Sequence, residues 1–266
     1  MVVVPLDLLA TSRRGGLTGV VRDVLVDWWG LTEFASLESI GEILVLLRSD
    51  EMCRRVPWPQ DRIISDVNER WINGAVVIAE ENQVIWQAVL EQISAGVPSV
   101  VLYEEERILR DGPQTLAESM AALQAGISFD VIVEHHRIDS VALDEFLARQ
   151  LVQNAVYAET AGRFQAQIVA DRIADFLIVP PLTLKGDFSS FPGLVAGVNW
   201  FGTCNGTTIQ IAVRGEVANP MSLGIASQWE QWRQVDPPPQ TGSKTGVWSV
   251  PADGDWWSWR PIEPVT

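Results

Sequence analysis

The sequence predicts an α+β fold: a mostly antiparallel sheet with helices packed around it. Two observations carry this. Segments of helical period alternate with short β-branched runs, and the connections between those runs are too short for parallel crossovers. In chain order, Leu17, Val20, Val21, Val24, Leu25 and Trp28 recur at helical spacing, and Gly30 supplies a stop. Ser36 is placed to cap a second helix through about Arg48, with Ile40, Ile43, Leu44 and Leu47 on one face. Pro57-Trp58-Pro59 then breaks the chain. Ala75 to Ala79 is an unbroken, mostly β-branched apolar run, as a strand covered on both sides requires. Glu80-Glu81-Asn82-Gln83 reads as a polar turn, Val84 to Leu90 as the next strand anchored by Trp86, and Ser99 to Glu104 as a third.

Asp111-Gly112-Pro113 is a turn, and Thr115 with Glu118 forms a capping box opening a helix to about Ala125. Phe129 to Glu134 reads as a further strand. Ala142 to Ala161 reads as a long helix with Leu143, Phe146, Leu147, Leu151, Ala155 and Val156 as its apolar stripe. Helices are expected over Arg163 to Phe176 and Pro220 to Trp232. Between them, Leu194 to Phe201 and Thr207 to Val213 are expected as strands joined at Asn205-Gly206, a hairpin signal. The expected organisation is an α+β domain over 1–161, an integral extension with hairpin and helix over 162–234, and a Pro/Gly/Trp-rich tail over 235–266.

Among 266 residues, 34 acids face 19 bases, of which only Lys185 and Lys244 are lysines, for a net charge of −15. Such a surface repels phosphate backbones and anionic lipid, so neither nucleic acid nor membrane is an expected partner; a basic protein is. No stretch reaches the roughly 18 apolar residues of a membrane helix. Met1 to Ala10 contains Pro5 and Asp7, and Arg13 and Arg14 follow its apolar part, the reverse of a secretory signal; a cytoplasmic protein is expected. Cys53 and Cys204 lie far apart, in no metal-ligand spacing, and read as reduced thiols.

No cofactor, metal or catalytic residue is expected. Glu80 and Glu81 resemble a carboxylate pair for acid–base work, but neighbouring strand residues point to opposite faces. They read better as partner-binding residues, together with Asn82 and Gln83. His135-His136 lacks a third ligand at a metal-binding spacing. Glu104, Glu105 and Glu106 end a strand and, with Glu80 and Glu81, form one expected acidic contact face. Two other readings use the same residues differently. A carboxylate-dependent hydrolase or transferase would enlist His135 or His136, and a carbohydrate-binding protein would use Trp256, Trp257 and Trp259. Seven of the twelve tryptophans fall from Trp200 onward and are expected to cover the core.

Three segments resemble the SUKH superfamily, the Smi/Knr-like bacterial immunity and protein-interaction proteins. Trp71 to Trp86 carries Glu80-Glu81-Asn82-Gln83 on that family's polar turn. Gly96-Val-Pro-Ser-Val-Val-Leu-Tyr103 is similar to its next strand, and Leu116 to Leu123 to its closing amphipathic helix. The match spans about Arg62 to Ala125. The resemblance implies an α+β sheet with packed helices and a non-catalytic module that binds other proteins, often toxins of interbacterial competition.

Overall fold

The computed structural model describes residues 5–56, 58, 61–81, 86–91, 98–109, 131–157, 162–168, 171–183, 191–206, 208–213, 223–231, 246–249 and 258–261. Its fold is α+β, with every named strand pair antiparallel. The helix expected over 115–125 and most of the 235–266 tail lie outside the described residues.

Helix α1 (Leu8–Asp23) starts earlier than its apolar spacing suggests, because Asp7 Oδ1 accepts from the Ala10 amide and caps it. A kink at Gly16, with φ 64°, interrupts the helix midway. It runs on into a π-turn over Val24–Trp28, and the chain leaves at Gly30 with φ 73°. Helix α2 (Ile40–Leu47) is capped by Ser39, not Ser36. Glu42, three residues on, returns the bond to the Ser39 amide at 3.1 Å and selects that serine. Helix α3 (Asp50–Arg55), unforeseen in the sequence, has acids in its first turn and arginines in its last, matching the helix dipole.

The first sheet contains β1 (Asp61–Ile63), β2 (Trp71–Ile72), β3 (Ala75–Glu81), β4 (Trp86–Glu91), β5 (Ser99–Leu109) and β6 (Val131–Ala142). Its order is β1-β3-β4-β5-β6, with β2 also paired to β3. Helix α4 (Leu143–Tyr157) follows β6 directly. The second sheet contains β7 (Gly162–Ile168), β8 (Leu177–Val179), β9 (Gly193–Gly197), β10 (Trp200–Asn205), β11 (Thr208–Val213) and β12 (Ala226–Gln231), in the order β12-β7-β11-β10-β9-β8. Strands β13 (Gly246–Ser249) and β14 (Ser258–Pro261) pair with each other.

Three expectations are corrected here. Within the helices expected over Arg163 to Phe176 and Pro220 to Trp232, residues 163–168 and 226–231 instead lie in the mutually paired strands β7 and β12, and Ile173–Asp175 is a single 3-10 turn. Gly162 to Ile168 alternates polar with apolar residues, a period of two that the pairing with β11 and β12 uses. The single strand expected over Leu194 to Phe201 is a hairpin, turned at Val198-Asn199 with Asn199 at φ 61°. Asn199 also ties the N-terminal segment down, donating its amide to Leu6 O and accepting from Leu6 N. At the Asn205-Gly206 hairpin the positive φ belongs to Gly206.

One core crosses the boundary expected at 161. Leu6, Val20, Phe34 and Leu47 pack in the same cluster as Ile78, Leu102, Phe146 and Leu151, and as Leu194, Phe201 and Ala212 of the second sheet. Helix α4 touches α1 and strands of both sheets, which explains why it is buried on more than its predicted stripe: Arg149, Gln150 and Asn154 are also buried.

Candidate functional site

Among the described residues, strand β4 pairs with β5 from Ser99 to Glu104, whereas β5 and β6 remain paired to Leu109 and Val131. Among those residues, the last part of β5–β6 from Glu105 onward therefore runs past β4 as a strand pair. Pleating sorts its acids. Glu104 lies opposite His136, and Glu106 opposite Glu134. His136 Nε2 lies 2.9 Å from Glu106 Oε2 and 3.7 Å from Glu134 Oε2, so these groups share one face. Glu105 lies on the other face, where its carboxylate accepts from Gln87 Nε2 at 3.3 Å. Glu106 and Glu134 are exposed, and Glu104 and Glu105 are partly covered.

Glu80 leaves the expected contact face. It is 1% exposed, and its carboxylate is clamped by Arg62, whose Nε donates at 2.6 Å and whose Nη2 adds a second contact, and by Arg70 Nη2. The cause is cross-strand register: Arg62 on β1 lies opposite Glu80 on β3, and Ile72 and Val77 pack on that same side of the sheet. Glu81 points to the opposite face, beside Asp61, and is partly covered. Asn82 and Gln83 lie outside the described residues.

Asp61 is a site the sequence reading missed. It is 5% exposed; burial, reinforced by the charge of Glu81, pushes its carboxyl from 3.8 up to about 7. The Gln150 side chain on α4 opposes the shift. The folded protein thus holds a proton that the unfolded chain releases between about pH 4 and 7. Stability must fall as pH rises through that window and level off above it. Asp61→Asn is therefore expected to stabilise the protein at pH 8 by on the order of 2–4 kcal/mol. The gain should shrink towards pH 4, as urea denaturation at several pH values would show; an equal effect at both ends would contradict the buried proton.

A cleft of about 820 Å³ opens between α3, β1 and the turn over 65–70. Its lining includes Arg54, Trp58, Arg62, Val67, Glu69 and Arg70. Arg48 fixes one wall by donating from Nε to Ile64 O, while Arg48 O accepts from the Asp66 amide. Cys53 also lines the cleft, but burial pushes its thiol up to about 11, and it is not a nucleophile at neutral pH.

Glu80, Glu81, His135 and His136 line neither this cleft nor the smaller cavity of about 250 Å³ beneath α4, and no group of metal-ligating side chains occurs among the described residues. None of the described helices is long and apolar enough to cross a membrane. No protein-family model, no curated protein and no solved structure matches the chain.

Proposed function

We propose that this protein is a non-catalytic, cytoplasmic binding module that captures a basic protein through its acidic β5–β6 ribbon, and that it acts as an immunity protein against a basic toxin such as a nuclease. The observation that carries the reading is the ribbon itself. Among the described residues its end runs past β4 with Glu106 and Glu134, and Glu104, opposite Trp86 of β4, lies on the same face. The net charge of −15 and the SUKH-like strand and turn support the same reading. Exposed acids of this kind chiefly accelerate encounter with a cationic partner. Co-purification with the product of a neighbouring gene, followed by rescue from its toxicity, tests the proposal. Failure of both binding and rescue against every neighbouring candidate would overturn it.

A further inference from the structure

The cleft lies at the β1 edge of the first sheet, with β3 and β4 between β1 and the β5–β6 pair, and it gathers three arginines in a protein of net charge −15. Arg54, Arg62 and Arg70 line it with Asp50 and Glu69. Asp50 is already paired with Arg54, and Glu69 with Arg48 at 3.5 Å. That leaves the guanidinium groups of Arg62 and Arg70 sharing one buried carboxylate, Glu80.

We infer that this cleft binds a small ligand through an oxyanion, carboxylate or phosphate, seated on Arg62 and Arg70, with the ligand's flat apolar body against Trp58. Each guanidinium has five N–H donors, and Glu80 uses only the Nε–Nη2 edge of Arg62 and one Nη of Arg70. Among the described residues donors remain on both, and the two side chains are 60% and 44% exposed. Glu80, buried beneath them, fixes both forks in place before any ligand arrives, which lowers the ordering cost of binding. Paired forks suit the planar, bidentate geometry of carboxylate and phosphate. The cleft volume lies within the range of small-molecule sites. Trp58 supplies an apolar wall, and its buried Nε1 makes no hydrogen bond among the described residues.

Calorimetric titration at low salt, without phosphate buffer, tests this with two anionic probes. Adenosine monophosphate carries the phosphate and N-acetylphenylalanine the carboxylate; adenosine and N-acetylphenylalaninamide are their uncharged counterparts. At least one anion should bind with a Kd below about 1 mM, and its uncharged counterpart at least about tenfold more weakly. The tighter anion identifies the source of the oxyanion. The triple variant Arg62→Gln/Arg70→Gln/Glu80→Gln removes the whole charge cluster together and should weaken binding at least about tenfold. Arg62→Lys keeps the charge on Glu80 but loses the fork, and should weaken binding at least about threefold if the triple variant does not fold. The inference is overturned if neither anion binds at about 1 mM, if the uncharged probes bind equally well, or if a folded variant binds undiminished.

Discussion

Replacing Arg149 with methionine is expected to lower the unfolding free energy by about 3–5 kcal/mol, as when one partner is removed from a buried ion pair. Arg149 is 1% exposed at the middle of α4. Its Nη1 donates to Pro192 O at 2.5 Å and its Nη2 to Pro180 O at 2.8 Å. Nε and Nη2 also reach Glu145 Oε1, at 3.1 and 2.6 Å, one helical turn back. A single side chain thus joins α4 to the segments next to β8 and β9. Methionine fills much of the volume but leaves two backbone carbonyls and the partly buried Glu145 without their donor. Lysine should recover only part of the loss, because its ammonium cannot spread over three acceptors as the planar fork does. Urea denaturation of the three proteins checks this; a loss below about 1 kcal/mol for methionine would mean the fork contributes little.

Trp86→Ala is expected to cost about 3–5 kcal/mol as well, by a different route. Trp86 is 8% exposed, and its ring meets Phe146 of α4 edge-on at 6.2 Å and Phe191 at 5.9 Å. Phe146 and Phe191 also contact each other at 6.4 Å. Truncation therefore opens a cavity where β4, α4 and the segment leading into β9 meet. Trp71 is the control: it is 62% exposed on β2, and Trp71→Ala should change stability by no more than about 0.5 kcal/mol. Equal losses at the two positions would contradict the placement of the core.

What the sequence disclosed depended on whether the signal was local. The β3 run from Ala75 was legible because continuous β-branched residues mark a strand buried on both faces. The Asn205-Gly206 turn was legible because its glycine meets a backbone need within a few residues. Ser36 and Ser39 were equally good caps by residue type, and only the side chain of Glu42, accepting from the Ser39 amide, separated them. Strands β7 and β12 were misread because each is held by partners far away in the chain. At the candidate site, the opposite orientation of Glu80 and Glu81 followed from the pleat, but the burial of Glu80 did not. That burial needs Arg62 across the β1–β3 register and Arg70 ahead of β2. Asp61 and Arg149 were invisible for the same reason: a charged residue gives no sequence signal that its partners lie elsewhere in the fold.

Alternation also sharpens the partner face. Glu104, Glu105 and Glu106 formed one acidic run in the sequence, yet the middle residue belongs to the opposite face. The capture account therefore requires that Glu106 and Glu134 matter more to encounter than Glu105. The most direct measurement is the association rate with a co-purified basic partner across ionic strengths, for the natural protein and for Glu106→Lys/Glu134→Lys. Both positions are exposed, so the fold should be unchanged. The expected result is an association rate at least about tenfold lower at low salt, a shallower salt dependence and a nearly constant dissociation rate. Association of the double variant at the natural rate, with the same response to salt, would contradict capture through the ribbon.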